Sequence, residues 1–461
     1  MPPSDQNNYL CRSALALPFL VNVGLVVDDV LDASILQDKY TQLIELWPQL
    51  GGSLLTIFDT RKFQCGSTAD FKSRTLNEDL SSFLPFSRPV GSATPKILLD
   101  DPASTDSKFF FQVSSNLKSI SKLRVTILKN ATLLGFSFSH ALSDGKSSYD
   151  IIRYFCDLLS SKPLPTFILP PDATGERISD LLRDKAPAPA SAQPGTETFV
   201  SSHLTALKLH AKYMLLRVGE ILGLSSKLTY KTVYIPGPWV DEIRKRAQKE
   251  LESSDEHSAV HLTRNDIIAA LYLKMVYNWK KTNDSPVDYI GPINYRGLLE
   301  PSKPGTHYMH NSVVFLLCQF SERELQTSSI AIVAARIRLA TIQYTHPAMI
   351  RSEILHFEDR VLAPAMQDIR GGVRWGTLMA TPWTTFNYTS LDFSGASREG
   401  RTPSVVFVNP SVPLTLGDLP SPLAINVKDG AGGYWFRAAN SQRGWETFER
   451  CISMDSLFAC T

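Results

Sequence analysis

Between Leu123 and Leu159 the apolar period of the chain changes, and that change limits what the chain can build. Leu123, Val125 and Ile127 alternate with polar residues, and Leu134, Phe136 and Phe138 alternate with small ones, so both segments read as strands. Lys129-Asn130-Ala131 between them supplies a hairpin turn. The second strand runs directly into His140-Ala141-Leu142-Ser143-Asp144-Gly145. Past Gly145 the period is helical, with Ile151, Ile152, Phe155, Leu158 and Leu159 on one stripe. This order describes a sheet covered by helices, with His140 at a strand-to-helix junction, where ligand sites gather.

The same alternation recurs on both sides. Leu17 to Val27 reads as a buried strand, and Leu31 to Leu46 carries Leu31, Ile35, Leu36, Tyr40, Leu43 and Ile44 at helical spacing. Trp47-Pro48-Gln49-Leu50-Gly51-Gly52 breaks that helix, and Ser53 to Phe58 resumes as a strand. The sharpest change of composition is Lys185 to Thr198, a Pro/Ala/Ser stretch that cannot form a core and reads as an exposed linker. Thr232 to Ile235 opens a second unit, and Thr263 to Asp266 starts a helix over Ile267 to Trp279 with Asp266 in the capping-box position. A chain of 461 residues exceeds one ordinary core. The expectation is therefore an α/β protein of two domains, 1–184 and 231–461, joined by a linker or crossover over 185–230.

Charge narrows the partners. The 47 basic and 45 acidic residues nearly cancel, which gives no reason to expect nucleic acid or an anionic membrane as partner. No apolar run reaches the about 18 residues needed to span a bilayer, so no stable membrane insertion is expected. The run Ala14 to Val27 is interrupted by Pro18, Asn22 and Gly24 and is read as strand rather than secretory leader. Six scattered cysteines without a C-x-x-C pair point to reduced thiols and a cytoplasmic protein.

Chemistry concentrates at His140. An imidazole with an unperturbed pKa near 6.5 can accept a hydroxyl proton near neutral pH, and Asp144 four residues on either orients the ring or serves elsewhere. Taken alone, H-x-x-x-D is a short pattern, and a structural histidine at a strand end fits it as well. His257-x-x-x-His261 and His307-x-x-His310 have metal-compatible spacing without nearby cysteines, and they read as loop or surface histidines, so no metal is expected. His310, next to Asn311, is placed to contact an acceptor. No G-x-S-x-G elbow or P-loop is present. Leu204 to Leu222, with Lys208, His210, Lys212 and Arg217 interspersed, reads as a helix packed on the domain rather than an interfacial one.

The surroundings of His140 add a resemblance. Phe136-Ser-Phe-Ser-His140-Ala-Leu-Ser-Asp144-Gly145 resembles the first signature of the BAHD acyltransferase family. Trp383-Thr-Thr-Phe386-Asn-Tyr388-Thr-Ser-Leu-Asp392-Phe393-Ser394-Gly395 resembles its second, usually D-F-G-W-G. Asn294-Tyr295-Arg296 with Leu299-Glu300-Pro301 resembles its internal arginine segment, Asn311 the asparagine that follows, and Pro48 to Gly52 its early proline/glycine step. The matches keep family order over almost the whole chain and are nearest in style to divergent fungal members that decorate secondary metabolites.

The resemblance implies two chloramphenicol-acetyltransferase-like domains, each a mixed β-sheet flanked by helices, with a channel between them. Acyl-CoA enters as co-substrate, with no permanently bound cofactor, and meets a small hydroxylated acceptor; the protein is expected to be a monomer. His140 acts as general base for direct attack on the thioester, without an acyl-enzyme. Thr381 matches the position whose hydroxyl stabilises the oxyanion. Asp144 turns from the histidine to pair with Arg296, and Asp392 supports the site. Trp383 and Gly395 fall on the CoA side. The second signature departs from the family: Ser394 and Ala396 stand for its glycines and Gly395 for its tryptophan, so activity is still expected but the details of the CoA mouth do not carry over. N-acyl transfer, a condensation reaction on a carrier-bound acyl group, and a non-catalytic binding protein of the same fold stay as alternatives. Condensation domains commonly carry two adjacent histidines, where this chain has Ser139 before His140.

Overall fold

The computed structural model describes residues 20–57, 60–84, 90–100, 118–168, 177–183, 228–253, 257–277, 284–299, 305–361, 377–411, 423–451 and 457–458. The expected linker up to residue 227 and the segment 204–222 lie outside them, as do Glu300 and Pro301. The architecture is the expected mixed α/β one. One sheet has five strands in the order β14 (Val405–Ser411), β1 (Leu20–Val27), β7 (Thr132–Ser139), β6 (Ser121–Ile127) and β4 (Phe71–Thr75). A second has seven: β12 (Val313–Ser321), β10 (Pro286–Asn294), β13 (Leu378–Pro382), β15 (Leu423–Lys428), β16 (Tyr434–Ser441), β9 (Leu228–Ile235) and β5 (Lys96–Asp100). Two small pairs complete it, β2 (Ser53–Ile57) with β3 (Thr60–Gln64), and β8 (Thr166–Ile168) with β11 (Thr306–Tyr308).

Neither large sheet is made from one half of the sequence. β14 comes from the C-terminal half and pairs antiparallel with β1, whereas β5 comes from the N-terminal half and pairs antiparallel with β9. The parallel pair β8–β11 makes a third link between the halves.

Alternation along β7 sorts its side chains to two faces. Phe136 and Phe138 face helices α1 (Ala33–Leu46) and α2 (Gly145–Leu159), with Phe136 edge-on to Phe155 at 5.7 Å. Ser137 and Ser139 face the other way. α1 begins at Asp32, whose carboxylate accepts from Ser34 N (2.8 Å) and Ile35 N (3.3 Å), and it buries Leu36, Tyr40, Leu43 and Ile44. On the second sheet, helix α3 (Arg264–Tyr277) starts as expected, Thr263 and Asp266 exchanging hydrogen bonds. Val233, Phe436 and Ala438 pack with that helix, while Leu423, Ile425, Val427 and Trp435 join the buried cluster of the first sheet. The two sheets therefore meet through their helix-free faces.

Candidate active site

His140 follows the last residue of β7, in the short turn that leads to α2. Asn311 Nδ2 donates to the backbone carbonyl of His140 at 2.9 Å and lies 3.1 Å from its Nδ1. Asn311 thus holds the Nδ1 edge of the ring, and Nε2 is the nitrogen on the other edge. Burial lowers the pKa of the imidazole below its usual 6.5, against smaller upward pulls from the Asp144 charge and from its own carbonyl. The neutral, proton-accepting form is thus favoured.

Asp144 is turned to other work. As N-cap of α2 its Oδ1 accepts from Ser147 N at 2.8 Å, and its Oδ2 accepts from Ser312 N at 2.8 Å and from Arg296 Nη2 at 2.9 Å. Burial by itself raises the pKa of this carboxyl, but Arg296 and the two backbone N–H groups outweigh it, and the net shift is downward from 3.8. Arg296 in turn donates to Tyr308 O (2.7 Å), His310 O (2.8 Å), Ser147 Oγ (2.6 Å) and Asn294 Oδ1 (3.2 Å), so all three of its nitrogens are engaged. Sequence reasoning singled out Asp144 and Arg296 but not Ser147 or Ser312. Ser147 had a signal, its place three residues after an N-cap aspartate; Ser312 reaches Asp144 through its backbone N–H, with its hydroxyl on His310 O, and had none.

His310 departs from its expected part. Its ring is buried edge-on to Trp47 at 5.9 Å and beside Tyr308 at 5.5 Å, with both nitrogens closed off from solvent. Burial and the Arg296 charge push it to about 3, so it stays neutral. Its carbonyl, not its ring, enters the site. His307 lies apart, with Nε2 3.1 Å from Asp150 Oδ2. Among the described residues no group of three or more histidine, cysteine or carboxylate side chains is arranged to hold a metal ion.

Thr381 lies on β13, directly across from Ile425, on the face that meets the first sheet. Pro382 follows it without a donor, and the backbone N–H of Trp383 bonds to Asn426 O at 2.9 Å. From Trp383 the chain crosses to the first half and runs along α2. The Trp383 indole rests on Gly145: a Cβ there would lie 2.7 Å from its Nε1, which explains the glycine. Phe386 stacks on Tyr149 at 5.6 Å. Asp392 Oδ2 accepts from Ser160 Oγ at 3.0 Å, just past the end of α2. Gly395 touches that same end, where a Cβ would come 2.0 Å from Leu159 O. Trp383 and Gly395 thus mark opposite ends of α2, about 20 Å apart.

The arrangement matches known proteins over its full length. The chain is 37% identical over 479 aligned residues to the acetyltransferase peniE of Penicillium patulum, covering 98% of each. Its fold is similar to that of F. graminearum TRI101, solved with coenzyme A and deoxynivalenol (TM-score 0.67, 13% identity, 97% of this chain and 96% of that one). It is also similar to vinorine synthase (TM-score 0.59, 12% identity, 98% and 93%). No family model matches the chain. Among the described residues, no helix is long and apolar enough to cross a membrane. With full-length kinship to a fungal acetyltransferase and this fold, the chain belongs to the BAHD-type acyltransferases, among their fungal acetyltransferases.

Proposed function

We propose that this acetyltransferase moves the acetyl group of acetyl-CoA to a hydroxyl of a polycyclic secondary metabolite, with His140 as general base. The observation that carries the reading is the ring of His140. Asn311 Nδ2 lies against both its Nδ1 (3.1 Å) and its carbonyl (2.9 Å), so Nε2 is the nitrogen assigned to take the proton. Nε2 removes the acceptor O–H proton as the oxygen attacks the thioester carbon. A C–O bond forms, the carbonyl electrons move to oxygen, and the Thr381 hydroxyl donates to that oxyanion. When the oxyanion collapses the C–S bond breaks, and the CoA thiolate takes the proton from Nε2. The products are an acetyl ester and free CoA, with no acyl-enzyme. Asp144 and Arg296 act by holding the turn that carries His140, not on the reacting atoms.

Acetyl-CoA arrives as a co-substrate, as the coenzyme A in TRI101 suggests. The test is incubation with acetyl-CoA and a library of hydroxylated polycycles, following free thiol and the mass gain of one acetyl group per product. Acetyl esters with matching thiol release are expected. Faster acetylation of amine analogues at the same carbon would move the reaction to nitrogen. Thiol release without any acetylated product would remove the transfer reading.

A further inference from the structure

Next to the site the two sheets meet through polar rows. Residues opposed across a β ladder share a face. In the first sheet Asn22 opposes both Ser137 and Ser411, and Ser137 stands three residues before His140. One step along the same face Gly24 opposes Gly135, and the row runs on to Asn409 on one side and Arg124 on the other. In the second sheet Thr381 opposes Ile425, Ile425 opposes Arg437, and Arg437 opposes Thr232. Trp435 lies two residues from Arg437 on that face. The faces touch: Arg437 Nη1 donates to Pro410 O of β14 at 3.2 Å, and Trp435 meets Phe407 edge-to-face at 5.3 Å.

Four side-chain atoms in this seam are closed off from solvent and have no hydrogen-bond partner among the described residues: Asn22 Oδ1, Ser137 Oγ, Thr232 Oγ1 and Trp435 Nε1. Buried polar groups are almost always partnered. A contact that only held two sheets together would be apolar on both faces, as it is farther along, where Phe407, Val26 and Leu133 form one row. The unpartnered groups instead lie in the row of Asn22 and Ser137, near the strand end that leads to His140, and in or beside the row of Thr381.

We propose that this seam determines acceptor specificity, parting to admit a compact polycycle with several oxygens. Its oxygens would accept from Ser137, Thr232 and the Trp435 indole, one hydroxyl would donate to Asn22, and another would reach His140. The inference rests on the acetyl-transfer reading and adds to it the class of acceptor. A skeleton with a single hydroxyl leaves every seam group unpartnered, and sites built on buried polar groups discriminate strongly against such analogues.

Ser137→Ala, Thr232→Val and Asn22→Leu, singly and combined, remove these groups with little change of size. Each is assayed with acetyl-CoA against deoxynivalenol, a polycycle rich in oxygen, and decalin-2-ol, a bicycle with one hydroxyl. For the unaltered protein we expect kcat/KM for deoxynivalenol at least about a hundredfold above that for decalin-2-ol. Each variant should raise the deoxynivalenol KM about tenfold with a smaller change in kcat, and should raise Tm. Higher Tm with unchanged KM would mean a structural seam only, and overturns the proposal. So does equal or better use of decalin-2-ol, or an unchanged preference in the combined variant. If neither alcohol is acetylated while a different hydroxylated acceptor is, the acceptor class is wrong and acetyl transfer stands. If acetyl-CoA is neither bound nor cleaved, the transfer reading falls and the proposal with it.

Discussion

Both ends of α2 lie against a glycine contact, Gly145 under Trp383 and Gly395 on Leu159, but only the N-terminal end is also held by a buried ion pair. At the first, the Asp144 carboxylate gathers Ser147, Ser312 and Arg296, and Asn311 reaches the carbonyl of His140. At the second, Gly395 lies against the Leu159 carbonyl and Asp392 takes one bond from Ser160. Apart from Ser147 of the helix itself, the partners come from the C-terminal half, Arg296, Asn311, Ser312 and Trp383 at the first end and Asp392 and Gly395 at the second. Hydrogen bonds to a charge set direction as well as distance, and one ring beside that end has to point one way. Contact through a glycine sets distance alone, which suffices to hold the far end of a helix.

Substitutions at the two ends should therefore fail differently. His140→Ala should lower kcat roughly 10²–10⁴-fold with Tm close to that of the unaltered protein. Because burial lowers the His140 pKa and the base has to be neutral, activity should fall with pH only below the usual 6.5. Near-native kcat in the alanine variant, or an acid limb of kcat/KM above that value, would remove His140 as base.

Arg296→Ala and Asp144→Ala each strand a buried charge and should cost about 3–5 kcal/mol in urea unfolding. The folded Asp144 pKa lies below 3.8, so its stabilisation is complete above that pH and is lost as pH falls through the folded value. Asp144→Asn should lose this part of the acid dependence. Native unfolding curves with abolished turnover would make Asp144 catalytic and erase the contrast between the ends.

Thr381→Val keeps the branched shape and removes the hydroxyl. It should lower kcat up to about a hundredfold, with a smaller effect on KM, because the oxyanion exists only in the transition state. Unchanged steady-state kcat would leave the oxyanion without this donor.

At the far end, Gly395→Ala forces a Cβ onto the Leu159 carbonyl and should cost about 1–3 kcal/mol. Thermal melting reads that cost, and acetyl-CoA KM measured below the melting range should not move. A raised KM would return Gly395 to the CoA side. Asp392→Ala, which removes bonds to Ser160 and to Ser394 N (2.9 Å), should cost about 1 kcal/mol or less. A loss as large as that of Asp144→Ala would show that charge governs both ends.

Much of the first end was legible. The switch from period two to a helical period located β7, the turn and α2, and a capping aspartate before a helix is a local signal. Resemblance named Arg296 as partner of Asp144, 152 residues away, which no local pattern does. His310 was misread because spacing beside Asn311 says nothing about which way a ring turns. The exchange of β5 and β14 between the sheets left no mark either: a strand's alternation fixes its two faces, while its neighbour depends on which sheet edge is open once the rest has packed.

The sequence by itself determined the elements, their caps and the chemical types at the site, because periodicity and capping act over a few residues. Only the tertiary structure decided which edge of the His140 ring Asn311 holds, which charge Asp144 meets and which polar rows face each other. Those outcomes depend on directional bonds between groups far apart in the chain, such as Asn311 to His140 across 171 positions, and such bonds exist only after packing has brought the groups together.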